Sequence, residues 1–123
     1  MATRSTIARK TATGIESIYC HWDGYPDGVG ATLRSHYVNE EKITQLMTLG
    51  NLSVLGEEIG TQKDFDTGVL NNECLAYGRD RGETGQASLS HETFIDWVNT
   101  RRGNGCQYGY IWNGATWEIV DLD

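Results

Sequence analysis

Gln107-Tyr108-Gly109-Tyr110-Ile111-Trp112-Asn113-Gly114-Ala115-Thr116-Trp117-Glu118-Ile119-Val120-Asp121 is the stretch whose reading decides the fold. Two runs rich in aromatic and β-branched residues flank an Asn-Gly pair, the strongest short-range signal for a tight hairpin. The spacing predicts strands over 107–112 and 115–121, joined by a type I′ turn at Asn113-Gly114. A two-residue loop sets Trp112 opposite Ala115, Tyr110 opposite Trp117 and Tyr108 opposite Ile119. Side chains alternate along a strand, so all six share one face and should form an aromatic ladder against helices.

The N-terminus reads as a second hairpin, with strands over 3–10 and 15–20 and a turn through Thr11-Ala12-Thr13-Gly14. Val29, Leu33 and Tyr37 recur every four residues and predict a short helix over 27–37. Gly28 and Gly30 in its first turn cost up to about 1 kcal/mol each in helix propensity, which suggests a close approach to that backbone. A longer helix follows: Asn39 is a good cap, Glu40 and Glu41 suit its positive end, and Gly50 stops it. Ile43, Leu46, Met47 and Leu49 supply its buried side, and 51–56 continues as another short turn of helix. Residues 57–73 lose periodicity and carry Glu57, Glu58, Asp64, Asp66 and Glu73 against Lys63, which reads as an acidic, mobile loop. Residues 74–77 suit a short strand. Ser90 then caps a helix carrying Phe94, Trp97 and Val98 as its apolar stripe, with Arg101 and Arg102 in its last turn. The order ββ-α-α-(β)-α-ββ implies a single α+β domain over 1–123. Its small antiparallel sheet is built from the two terminal hairpins, with about three helices mainly on one face.

Composition narrows the function classes. The 123 residues suit one domain with one modest core, and 38% hydrophobic with 10% aromatic residues marks a globular chain. No apolar run approaches a membrane span, and Met1-Ala2-Thr3-Arg4-Ser5 lacks the apolar core of a secretory signal. Cys20, Cys74 and Cys106 are widely spaced and odd in number, which argues against a disulfide framework and fits a cytoplasmic setting. A net charge of −7 disfavours direct nucleic-acid binding, which needs a phosphate-neutralising surface.

The densest chemistry lies in Tyr19-Cys20-His21-Trp22-Asp23-Gly24-Tyr25-Pro26. His21 and Asp23 form a pair suited to general-base work or metal ligation, but His36 and His91 are isolated and no third ligand follows. A turn at Asp23-Gly24 explains the same residues without chemistry. Cys20 and His21 are adjacent on a strand and so point apart, which suits a buried, inert thiol better than an activated nucleophile. Residues 23–30 could offer free amides to an anion, although they match neither a P-loop nor GxGxxG. A second cluster, Arg79-Asp80-Arg81-Gly82-Glu83, alternates charge; its arginines could fork a phosphate or meet a partner, or the charges could pair among themselves. Asp64, Asp66 and Gly68 fail as a calcium loop, because the glycine falls one place early and position twelve is Leu75.

Taken together, Thr3-Arg4-Ser5, the 19–26 segment followed by Gly28-Val29-Gly30, the Leu49 to Leu55 segment after a helix, and the Ala76 to Glu83 segment resemble a widespread group of small phage, prophage and bacterial proteins. The resemblance covers most of the chain. It implies a mobile-element setting, in which small acidic proteins act on host machinery or host defence, and supplies no mechanism.

Two functions follow as expectations. The first is a binding protein that inhibits or redirects a host protein or complex, of anti-restriction or anti-CRISPR type, through the acidic segment and the exposed part of 19–26. The second is a nucleotide-binding sponge or a small phosphate-transforming enzyme. There Trp22 or Tyr25 stacks on a base, Arg79 and Arg81 hold phosphate, and His21 with Asp23 transfers protons. The expected binding residues are therefore His21, Trp22, Asp23, Tyr25, Arg79, Asp80, Arg81 and Glu83, with no cofactor or metal expected. The absence of a convincing catalytic triad favours binding over catalysis.

Overall fold

The computed structural model describes residues 2–67 and 72–123. Seven strands among them form one open sheet: β1 Ser5–Thr11, β2 Gly14–Cys20, β3 Leu52–Val54, β4 Leu75–Ala76, β5 Leu89–His91, β6 Tyr108–Trp112 and β7 Trp117–Asp121. Their order is β4-β3-β2-β1-β6-β7, with β5 also paired to β2. The helices are α1 Ala31–His36, α2 Glu40–Leu49, α3 Tyr77–Arg81 and α4 Phe94–Gly103. The fold is α+β, with both terminal hairpins in place.

The sheet is mixed rather than purely antiparallel. Thr11 faces Gly14, so β1 turns tightly into β2, and the C-terminal hairpin then joins the free edge of β1 with β6 parallel to it. Alternation along β1 sends Ile7 to one side and Ala8 to the other, and each side is covered. Val29, Leu33 and Tyr37 of the α1 region and Ile43, Leu46 and Met47 of α2 pack with Ile7, Ile18, Cys20 and Tyr110. Trp97 and Val98 of α4 pack with Ala8, Ile15 and Ile111 on the opposite side. The expected one-sided arrangement therefore holds for α1 and α2, while α4 covers the second face.

Three local expectations need correction. The C-terminal hairpin pairs Trp112 with Trp117, Tyr110 with Ile119 and Tyr108 with Asp121, a slip of two residues from the expected register. Asn113 is not in the left-handed region that a type I′ turn needs there, and only Gly114 has positive φ (99°). The Asn113 side-chain oxygen instead accepts from the Ala115 and Thr116 amides at 2.9 Å, which widens the loop to four residues. A slip of two keeps every side chain on its face, so Tyr110, Trp112 and Trp117 are still buried against the helices. Residues 51–56 hold strand β3 rather than helix, because His21 and Trp22 donate to the Leu52 and Ser53 carbonyls at 3.0 Å. Ser90 lies in β5 rather than capping α4. Thr93 is the cap, accepting from the Asp96 amide at 3.1 Å.

Within the acidic segment expected to be mobile, residues 68–71 lie outside the described residues. No described helix is long and apolar enough to cross a membrane.

The strand β5 brings a buried polar cluster beneath α4. Arg101 donates to Ser17 Oγ from Nε at 3.0 Å, and the Ser17 hydroxyl meets His91 Nε2 at 2.7 Å. Because Ser17 Oγ accepts from both Arg101 Nε and Nη2, which occupies its two lone pairs, its own proton goes to an unprotonated Nε2, and that bond needs neutral His91. Burial and the Arg101 charge both lower the His91 pKa, against the opposing charge of Asp96. A folded-state pKa below the unfolded value of about 6.5 means the unfolded chain binds the proton first as pH falls. The His91 contribution is therefore complete above that value and is lost as pH falls through the folded pKa. His91→Gln is expected to flatten the dependence of melting temperature on pH between about 7 and 5. Identical slopes for parent and variant would rule out this linkage.

Candidate functional site

The corner that follows β2 is built on backbone constraints. Asp23 adopts φ 57°, a region that a non-glycine residue seldom occupies. From there its carbonyl accepts the Val29 amide at 2.8 Å, and the Gly24 amide donates to the Thr3 carbonyl at 2.8 Å. The buried Tyr110 hydroxyl donates to the Gly24 carbonyl at 2.7 Å. A Cβ on Gly24 would stand 2.6 Å from the Thr3 oxygen, and one on Gly28 only 2.3 Å from the Asp23 oxygen, so both glycines are required by close approach. Thr3 and Ser5 thus form one unit with the 19–26 segment. Pro26–Gly30 makes a wide π-type turn that runs straight into α1.

Side chains on this corner split in two directions. Cys20 is buried among α1 and α2 residues, and burial pushes its thiol up to about 12. His21 turns to the other side, where Nδ1 meets the Tyr19 hydroxyl at 2.8 Å and the ring stands edge-on to Trp22 with centroids 4.8 Å apart. Burial, then the Arg4 charge, lowers the His21 pKa, which keeps the imidazole neutral near pH 7. Asp23 does not bond His21; its carboxylate accepts from Tyr25 at 3.4 Å. Trp22 and Tyr25 are each 42% exposed, beside the exposed carboxylates of Asp23 and Asp27.

The 79–83 cluster organises a different region. Asp80 is buried and accepts from the Ala76 amide at 2.8 Å, the Lys63 amide at 3.1 Å and Arg79 Nε at 3.0 Å. Arg79 also donates to the carbonyls of Ile59, Gly60 and Cys74 at 2.9 to 3.1 Å. This clamp holds the described start of the acidic segment against β4, aided by the Lys63 ammonium, which reaches the Cys74 carbonyl at 3.0 Å and Glu73 at 3.2 Å. Arg81 pairs with Glu83 and lies over the Phe65 and Tyr77 rings, 4.5 and 4.8 Å from their centroids. Arg79 and Glu83 also line a groove of about 630 Å³ with Thr48, Leu49, Ile59 and Gln86.

Among the described residues, no hydrogen bond or ion pair joins His21, Trp22, Asp23 or Tyr25 to Arg79, Asp80, Arg81 or Glu83. No three His, Cys, Asp or Glu side chains converge among them either. The structure brings together residues that the sequence reading had not assigned to a site: Tyr19, Ser17, His91 and Arg101. One signal was present, since Arg101 falls four residues after Trp97 and so lies on the apolar stripe of α4 rather than its solvent side. Comparisons with family models, with curated proteins and with solved structures returned no match.

Proposed function

We propose that the protein is a binding module that docks a protein partner through the corner at residues 21–27, and that it inhibits or redirects a host component in a phage or mobile-element setting. The observation that supports this reading is the contrast between backbone and side chains there. Hydrogen bonds from three directions and a strained Asp23 hold the backbone rigid, yet Trp22 and Tyr25 face solvent. A corner serving the core alone would bury its aromatics; strain held in place beside exposed ones suits pre-organised recognition. Trp and Tyr are also the residue types that carry most binding energy at interfaces. Asp23 and Asp27, within an overall charge of −7, select a partner surface with a basic rim. The nucleotide alternative is less well supported, because Arg79 spends its donors on Asp80 and backbone carbonyls.

A photo-crosslinking residue at position 25 tests the reading, with the same residue at exposed position 100 on α4 as control. In host lysate, position 25 is expected to give one dominant adduct that unlabelled parent protein competes away. Trp22→Ala should compete about thirtyfold more weakly, the loss of about 2 kcal/mol typical of a hot spot. Equal adducts from both positions, or full competition by Trp22→Ala, would remove the corner from the function.

A further inference from the structure

Among the described Lys and Arg residues, Arg101 is the most deeply buried, at 2% exposure. Arg9, Arg79 and Arg81 each pair with a carboxylate, but among the described residues no Asp or Glu forms an ion pair with Arg101. Taking a guanidinium out of water without a counter-charge is costly. The chain has 17 acidic residues, and none of those described is paired with it.

The partners of Arg101 are neutral. Nε and Nη2 donate to Ser17 Oγ at 3.0 and 2.9 Å, Nη2 to the Ser17 carbonyl at 3.1 Å, and Nη1 to Asn104 Oδ1 at 3.0 Å. A guanidinium carries five N–H groups, so one on Nη1 is left over. The nearby acids supply no anion: burial raises the Tyr19 phenol above its ordinary value and the Cys106 thiol to about 11. The C-terminal end of α4 offers only a partial negative charge.

Arg101 and Asn104 form one wall of a cavity of about 380 Å³, with Tyr19, Asn51 and Leu89 among its other walls. That volume lies within the range of metabolite sites. Tyr19 contributes a flat phenol and Leu89 an apolar side. Arg4 adds a second cation nearby: its charge acts on the Tyr19 phenol, and its Nη1 passes 3.2 Å from where a Cβ on Gly105 would stand, next to Asn104.

We propose that this cavity binds a small oxyanion, a carboxylate or a phosphate monoester, with Arg101 as its counter-charge and Tyr19 as the platform beside it. The site is on the α4 side of the sheet; its Tyr19 hydroxyl meets His21 of the corner at 2.8 Å, but Trp22, Asp23 and Tyr25 do not line it.

The test titrates the protein, equilibrated in chloride buffer near neutral pH, with sodium phosphate or sodium acetate at matched ionic strength. A saturable shift of the Arg101 Nε–Hε resonance is expected with at least one anion. Melting temperature should rise by about 5 °C at a concentration tenfold above the dissociation constant. Response to phosphate alone assigns a phosphate monoester and response to acetate alone a carboxylate. Arg101→Gln should abolish the thermal shift. If that variant fails to fold, Leu89→Trp, which fills the cavity from an exposed position and leaves Arg101 intact, carries the test by abolishing both responses. Drift no greater than with sodium chloride, or a saturable response retained in Leu89→Trp, would overturn the proposal.

Discussion

Replacing Trp97 by alanine is expected to lower the free energy of unfolding by about 4 kcal/mol, the usual cost of deleting a fully buried large aromatic. Trp97 is 0% exposed and central to the cluster that joins α4 to the sheet. Its ring lies so close to β6 that a Cβ on Gly109 would stand 3.0 Å from it, which leaves no neighbouring side chain there to fill the void. Its indole N–H donates to Thr6 Oγ1 at 3.1 Å, and Thr6 in turn donates to the Ile18 carbonyl at 2.9 Å. Truncation therefore removes packing and one end of a buried hydrogen-bond chain together. Domains are stable by only about 5–15 kcal/mol, so a urea midpoint lower by about 2 M is expected. Trp97→Phe separates the two terms, keeping most of the packing and losing about 1 kcal/mol with the N–H. Hydrogen exchange should show α4 opening before β1 and β2 in the alanine variant. A loss below about 1 kcal/mol for Trp97→Ala would show that α4 is anchored elsewhere.

The second large effect is at Asp80. Its carboxylate joins β4, Arg79 and the Lys63 backbone, and its side chain is 0% exposed. Asp80→Ala leaves the Arg79 guanidinium without its carboxylate and two amides without their acceptor, and should cost about 3 kcal/mol. Asp80→Asn keeps the shape but turns an amide donor toward the donors around it, so its loss should be comparable. Burial, the largest single influence on Asp80, raises its pKa, but bonds from Arg79, Ala76 and Lys63 with the Arg79 charge outweigh it, and the net shift is downward. A depressed carboxylate stabilises the fold above its unfolded pKa of about 3.9, and that contribution is lost as pH falls through the folded value. The acid limb of the stability curve should therefore be shallower in Asp80→Asn than in the parent. Limited proteolysis should cut the 57–67 segment faster in either variant. An unchanged urea midpoint for Asp80→Ala would refute the clamp.

Where the sequence reading and the structure part company, the difference follows from the range of the forces involved. Asn39, Gly50 and the apolar spacing of α2 act within a turn or two of the helix, so its limits could be read directly: Asn39 Oδ1 accepts the Lys42 amide at 2.7 Å and Gly50 takes φ 81°. Gly28 and Gly30 likewise announced a close approach, which proves to be the Asp23 carbonyl and the Tyr110 ring. Leu52 to Val54 could not be read in the same way. A short apolar run suits helix or strand equally, and the free edge of β2 decides for strand. The Ser90 error has the same origin, since β2 captures residues 89–91 in a ladder before α4 begins.

The candidate site divides similarly. The sequence alone determined that residues 19–26 would form a corner dense in aromatics, that Cys20 and His21 would face apart, and that the two hairpins would supply an α+β fold, because these depend on local alternation and turn chemistry. Only the tertiary structure decided that Arg79 and Asp80 would clamp the chain to itself while Arg101 was buried without a carboxylate. Charge spacing along a chain does not reveal which charges meet across it. Those meetings are fixed by packing between residues as far as 84 positions apart, as where α4 sets Arg101 on Ser17 of β2, and that packing exists only in the folded domain.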